Sequence, residues 1–171
     1  MEKQVSSNTV YSGKIINVRN DTVELANGKL ANREVVEHSG GVGVLAIDEH
    51  DNVLMVRQFR YGIGRESLEI PAGKLEPGEA PMVCGMRELE EETGYIAGSF
   101  EPFGSLDPTP AYVSEVIHLF LARDLKLSAQ KLDEDEFLSV EEIPLTTAIE
   151  LCLNGGITDA KTVIAVLKYA R

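Results

Sequence analysis

Residues 81–93 constrain the fold of this chain more than any other segment, because they predict an amphipathic helix with defined ends. Pro81 suits its first turn, and a glycine directly after residue 93 is a typical stop. At about 100° per residue, Glu92 lies roughly 40° to one side of Glu88, and Glu91 roughly 60° to the other. The opposite face carries Met82, Val83, Met86 and Leu89. We therefore expect an apolar face in a core and an acidic face outside it.

The acidic residues lie at positions where their charges destabilise the helix. Like charges three or four residues apart destabilise a helix by about 0.2–0.5 kcal/mol per pair, and negative charge near the C-terminal end opposes the helix dipole. A bound divalent cation is the simplest compensation, and carboxylate oxygens favour Mg²⁺, with Mn²⁺ as a substitute. An acidic run alone more often indicates a solvated helix face, so the neighbouring residues are needed to distinguish such a face from a metal site. Arg87 directly precedes Glu88 and can orient a carboxylate through its planar fork.

The rest of the sequence mixes β-prone runs with two further helical patterns. Asn20-Asp21 offers a turn between two strands, and Asn27-Gly28 is a strong hairpin signal. Thr158 is the expected cap of the last helix. The predicted strands are 10–18, 22–25, 33–38, 42–47, 53–59, 67–70, 116–122 and 136–140, and the further helices are 143–153 and 159–169.

Composition narrows the function classes. The chain has 171 residues, 43% hydrophobic and 26% charged, as in ordinary globular domains. A net charge of −12 argues against a nucleic-acid partner, which requires a basic surface. The apolar runs are too short to span a membrane and the N-terminus lacks a signal-peptide core, so we expect a cytoplasmic protein. Two cysteines and three scattered histidines do not have zinc-site spacing.

The segment around the acidic helix resembles the Nudix box, G-x5-E-x7-R-E-U-x-E-E-x-G-U, where U is a bulky apolar residue. Every fixed position matches, and the aromatic residue at the last position is a mild departure from an aliphatic one. The matching residues are Gly73, Glu79, Arg87, Glu88, Leu89, Glu91, Glu92, Gly94 and Tyr95. In that family, a loop-helix-loop places the helix carboxylates on metal ions, as the helical wheel requires.

The resemblance extends to the ADP-ribose pyrophosphatase subfamily over about residues 33–169. The stretches VRQFRYGIGRESLEIPAGKLEPGE, TPAYVSEVIHLFLA and GGITDAKTVIAVL are similar to that subfamily. Its members also carry a proline sixteen residues beyond the closing glycine of the box, and Pro110 stands there. The resemblance implies an α/β (α+β) fold, a Nudix-type α/β/α sandwich with a mixed β-sheet and a small N-terminal antiparallel sheet.

The resemblance also implies roles for individual residues. The implied metal ligands are the Ala72 carbonyl, Glu88, Glu92 and Glu136, and the implied catalytic residues are Glu134, Glu91 and Arg87. Glu134 aligns best with the catalytic base, although Glu134 and Glu136 are interchangeable within one acidic loop. Glu91 either binds metal or orders the site. The implied substrate-binding residues are Arg33, Arg60, Pro110 and Glu115, and the two arginines have surface salt bridges as their alternative roles.

The predicted reaction is the attack of water on a diphosphate phosphorus of ADP-ribose, giving AMP and ribose 5-phosphate with bound Mg²⁺. One alternative is hydrolysis of another nucleoside diphosphate derivative, such as a GDP-sugar, a dinucleoside polyphosphate or a nucleoside triphosphate. Another is a Nudix-fold binding module without turnover. We expect residues 41–171 to form the hydrolase domain and residues 1–40 to form a β-sheet segment for a homodimer, with Arg33 reaching substrate within the chain or across that interface.

Overall fold

The computed structural model describes residues 1–132 and 137–171, which form two compact units. The first unit contains Met1–Gly40 and Asp107–Val116, and the second contains Gly41–Leu106 and Ile117–Arg171. The first unit thus includes residues 107–116, which fall within the predicted hydrolase domain of residues 41–171, and the two-domain division with a dimerisation segment stays a prediction. Among the described residues, no helix is long and apolar enough to cross a membrane.

The first unit is a three-stranded antiparallel sheet in the order β1-β2-β3. The strands are β1 (Lys3–Ser12), β2 (Ile16–Glu24) and β3 (Leu30–His38). The hairpin at Asn27-Gly28 is confirmed, and Gly28 adopts a φ of +80° that a side chain would disfavour. The turn expected at Asn20-Asp21 is wrong, because both residues pair within β2 with both neighbouring strands.

The second unit contains the mixed sheet that the sequence predicted. The strands β4, β7, β8 and β9 form a sheet in the order β7-β4-β9-β8, in which β4 and β9 are parallel. The strands β5, β6 and β10 form an antiparallel sheet in the order β10-β5-β6. The elements are β4 (Gly41–Ala46), β5 (Asn52–Arg60), β6 (Arg65–Glu69), β7 (Ala72–Lys74), α1 (Pro81–Thr93), β8 (Tyr95–Leu106), β9 (Ile117–Leu127), β10 (Leu138–Pro144), α2 (Leu145–Asn154) and α3 (Ala160–Tyr169).

The core of this unit lies on both faces of β4, all six residues of which are buried. Successive side chains of a strand point to opposite faces. Val44 accordingly packs in one apolar cluster with Leu89 of α1, and Leu45 packs in a second with Val166 of α3. The apolar run that predicted a buried strand therefore forms β4, against which α1 packs on one face and α3 on the other.

The helix α1 begins at Pro81 and ends at Thr93, directly before Gly94, as predicted, but its buried face differs from the expectation. Leu89 is buried, whereas Met82, Val83 and Met86 are 39%, 57% and 46% exposed. The packed face instead includes the small residues Cys84 and Gly85 together with two of the glutamates. A Cβ at Gly85 would lie 2.9 Å from the Phe100 ring, so this face owes its close packing to small side chains.

Three other predictions need correction. The predicted strand 10–18 is wrong, because residues 13–15 separate β1 from β2. The strand β8, twelve residues long, was not predicted, because glycine and proline interrupt its β-prone residues and its register shifts between Pro102 and Gly104. The cap of α3 is Asp159 and not Thr158. The Asp159 carboxylate accepts a hydrogen bond of 3.0 Å from the Thr162 amide.

Replacing Asp159 with alanine should destabilise the protein by about 1–2 kcal/mol, the usual effect of losing a helix cap. Thr158→Ala is the matched control and should change the free energy of unfolding by less than about 0.5 kcal/mol, because Thr158 is exposed. Urea denaturation followed by circular dichroism measures both. A larger loss in Thr158→Ala would show that the cap is wrongly assigned.

Candidate active site

Arg87 in α1 is the centre of a group of carboxylates. Its Nε donates to Glu79 at 3.0 Å, and its Nη1 donates to Glu88 at 2.9 Å and to Glu91 at 2.8 Å. Glu88 follows Arg87 directly on the helix, Glu91 lies one turn further on, and Glu79 precedes the helix by two residues. The guanidinium thus fixes the orientation of three acidic side chains that would otherwise repel one another.

Arg87 also sets the charge state of its neighbours. Its hydrogen bond holds the pKa of Glu79 at about 2, so that carboxylate is ionised at neutral pH. Beside it, burial raises the pKa of the Cys84 thiol to about 12. Cys84 is therefore a neutral thiol, which argues against a role as nucleophile.

The strand β7 lies directly against the acidic face of α1. The Ala72 amide donates to the Glu92 carboxylate at 2.8 Å. A Cβ on Gly73 would lie 1.8 Å from Oε1 of Glu88, so only glycine permits this approach. Glu88 and Glu92 are 9% and 2% exposed, respectively. The first glycine of the box is therefore the position that lets backbone and carboxylate meet.

The donors in this region suit a hard divalent cation. Three helix carboxylates and the backbone of Ala72 offer oxygen ligands, the type that Mg²⁺ and Mn²⁺ prefer. Within residues 1–132 and 137–171, no three acidic, histidine or cysteine side chains converge as a ready metal site. Glu134 and Glu136, the predicted base and additional ligand, lie outside the described residues.

A second charged cluster contains Arg60 at the end of β5. Arg60 donates from Nε and Nη2 to Glu69 at 2.9 and 2.7 Å, and Lys161 Nζ donates to the same carboxylate at 2.5 Å. Burial would raise the pKa of Glu69, but the hydrogen bonds from Arg60 and the charge of Lys161 outweigh it and hold the pKa at about 2. The hydrogen bond with Glu69 raises the pKa of Arg60, and the nearby Glu92 charge adds to that shift. Arg60 therefore lies within electrostatic range of one α1 carboxylate, that of Glu92.

Glu69 and Lys161 were missed by sequence reasoning. They are 92 residues apart, and nothing in either local pattern links them. The available signal was a charged residue between Leu68 and Ile70 in an otherwise apolar strand end, which implies a buried partner.

The other predicted substrate-binding residues belong to the first unit. Arg33 forms an exposed salt bridge with Glu2, with a hydrogen bond of 3.0 Å from Nε. Glu115 lies 3.4 Å from His38 Nδ1, and Pro110 lies in the segment Asp107–Val116. Their roles toward substrate stay predictions.

Comparisons with known proteins match this site and fold. A NUDIX domain model matches residues 37–164, which confirms the interpretation of the box, and a nucleoside diphosphate sugar hydrolase N-terminal domain model matches residues 2–36. An ADP-ribose pyrophosphatase of Bacillus subtilis (strain 168) is 43% identical over 96% of this chain and 90% of its own length. A methanol dehydrogenase activator of Bacillus methanolicus has the same identity and coverage.

Two further comparisons extend the pattern. A GDP-mannose pyrophosphatase of Salmonella arizonae is 36% identical over 94% of this chain and 90% of its own length. The crystal structure of an ADP compounds hydrolase superposes with a TM-score of 0.87 at 24% identity, covering 99% of this chain and 92% of that one, which confirms the fold. The domain match over most of the residues and the close relatives show that this chain belongs to the Nudix hydrolase family.

Proposed function

We propose that this enzyme hydrolyses the diphosphate link of ADP-ribose, giving AMP and ribose 5-phosphate, with Mg²⁺ as its metal ion. The observation that carries the proposal is the acidic group ordered by Arg87 against the close approach of Gly73. Such a group suits a phosphate-bound cation, because carboxylates and phosphate oxygens share hard divalent ions. The relative that acts on ADP-ribose supports the choice of substrate.

The residues that would hold the metal are the Ala72 carbonyl, Glu88, Glu92 and Glu136, with Glu91 either completing the set or ordering it. When bound, Mg²⁺ neutralises the charge of the diphosphate and lowers the pKa of a bound water, and Mn²⁺ can substitute for it. Members of this family use divalent metal ions.

The protein groups do the remaining work in this proposal. Arg87 orients two helix carboxylates and offsets their mutual repulsion, since it bonds to both at once. Arg60 binds the diphosphate or the ribose, and Glu134 accepts the proton of the attacking water. Arg33, Pro110 and Glu115 complete substrate binding on the basis of the resemblance.

The proposed enzyme is a cytoplasmic homodimer that uses the sheet of the first unit as its interface. The strand β1 supports this interface, because all ten of its residues are exposed and they include Val5 and Val10. The buried, unpaired thiols of Cys84 and Cys152 fit a reducing compartment.

GDP-mannose is the second candidate substrate, supported by the GDP-mannose pyrophosphatase relatives. The acidic group of α1 would serve either substrate, because both present the same diphosphate. The base and the sugar therefore have to be recognised elsewhere in the protein.

A substrate panel tests this function. With Mg²⁺, kcat/KM for ADP-ribose should exceed that for GDP-mannose by about tenfold or more, because mispaired polar groups on the wrong base are costly. Chromatography should identify AMP and ribose 5-phosphate, and EDTA should abolish turnover. Faster release of GMP from GDP-mannose would favour the second candidate, and no turnover of either would indicate a binding module.

Replacing Glu88 with glutamine should lower kcat by about 10²- to 10³-fold, the loss typical when one group that stabilises transition-state charge is removed. The fold should survive, because glutamine has the same shape. Glu90→Gln is the matched control on the same helix. Glu90 bonds to Ser128, outside the acidic group, and its variant should retain near-wild-type kcat. Near-wild-type kcat in Glu88→Gln would refute the metal assignment.

Gly73→Ala should lower kcat/KM by about 10- to 100-fold, the usual effect of disturbing a metal-ligand environment. The added Cβ would overlap Oε1 of Glu88 and force that carboxylate to move. Gly62→Ala is the control, since a Cβ there meets nothing within 4 Å. Steady-state kinetics at several Mg²⁺ concentrations should show that Gly73→Ala alone needs a higher Mg²⁺ concentration for half-maximal activity. The same Mg²⁺ requirement in both variants would contradict the role of this contact.

A further inference from the structure

One buried carboxylate in the second unit is shared by two cations from distant parts of the chain. Glu69 is 3% exposed, and its Oε2 accepts hydrogen bonds from Arg60 Nη2 at 2.7 Å and from Lys161 Nζ at 2.5 Å. The Lys161 side chain is 9% exposed. Buried ion pairs are a weak source of stability, because apolar residues of similar volume often serve as well. The cluster therefore calls for an explanation beyond packing.

The cluster determines how Arg60 is oriented. Two parallel bonds from Nε and Nη2 to Glu69 fix the plane of the guanidinium. Among the described contacts, none uses Nη1, and the side chain is 41% exposed. Arg60 is thus anchored along one edge and accessible along another, the arrangement suited to binding a phosphate group.

The first turn of α3 holds this cluster in place. Lys161 Nζ also donates to Asp159 at 2.9 Å, and Asp159 caps the helix. Next to it, Thr162 Oγ1 accepts a hydrogen bond of 2.9 Å from the amide of Ile70, the residue after Glu69. The helix therefore fixes both the side chain of Glu69 and the backbone that follows it.

We propose that Lys161 and Glu69 are positioning residues that hold the Arg60 guanidinium ready for the substrate diphosphate. The inference rests on the proposed function in that Arg60 contacts the diphosphate. In this proposal Lys161 acts through Glu69, to which its ammonium group bonds. Holding the arginine in place before binding lowers the entropic cost of ordering it when substrate arrives.

The test compares Lys161→Met and Glu69→Gln with wild type on ADP-ribose. Each should raise KM by about tenfold and change kcat by less than about twofold, because uniform substrate binding is lost and the metal site is kept. Arg57→Met is the matched control, since Arg57 lies on the same strand and bonds to Glu141, outside the cluster. Its KM should equal that of wild type. Thermal melting establishes that each variant is folded at the assay temperature.

A double-mutant cycle separates positioning from a general structural role. In an Arg60→Ala background, Glu69→Gln should raise KM by less than about twofold further, because the residue that it positions is gone. Unchanged KM in the folded single variants, an equal fall in kcat, or a full tenfold effect without Arg60 would each overturn the inference.

Failure of the substrate assignment would be recognised separately. Wild-type enzyme without activity on ADP-ribose would refute the proposed function. The positioning inference would then be decided by the dissociation constant for ADP, measured by calorimetry in EDTA, where no turnover is needed. Glu69→Gln and Lys161→Met should weaken ADP binding by about tenfold, and only when Arg60 is present. Unaltered binding of ADP would overturn the inference on this measurement as well.

Discussion

The contact between β7 and the acidic face of α1 is the constraint on which the site depends. Like-charged carboxylates on one helix face repel one another, and two of them are buried. The Arg87 guanidinium and the Ala72 amide offset this repulsion by donating hydrogen bonds to the carboxylates. The Ala72 amide bonds to Glu92, and Glu88 approaches the next residue, Gly73, because that residue has no side chain. The site therefore depends both on groups that offset the repulsion between carboxylates and on a glycine that leaves room for them.

Sequence reasoning predicted the helix α1 well because the information that defines it is local. The ends of α1, the common face of its glutamates and the position of Arg87 beside them all follow from spacing along one helix. The hairpin at Asn27-Gly28 follows equally from two adjacent residues. The mixed sheet and the family were also predictable, since the box matched at every fixed position.

The predictions that failed concern features that are decided by contacts between residues far apart in the sequence. The helical wheel placed Met82 and Met86 inside because it ranks residues by polarity, yet the sheet accepts the smaller Cys84 and Gly85 more closely. Asn20-Asp21 looked like a turn, but neighbours on both sides hold it in a strand. The pairing of Glu69 with Lys161 links residues 92 positions apart in the sequence, and only the folded chain brings them together.

The segment Glu69–Gly73 is held by both α1 and α3. At its start, α3 bonds to Glu69 and to the following amide, and at its end, α1 bonds to the backbone before Gly73. Between them, the Pro71 carbonyl accepts a hydrogen bond of 2.8 Å from Val44 in β4. The strand β4 is also where both helices pack, one on each face. A displacement of either helix would therefore be transmitted to the same five residues, since each is tied to that segment directly. The same bonds link α3, through Glu69, to Arg60 at the end of β5.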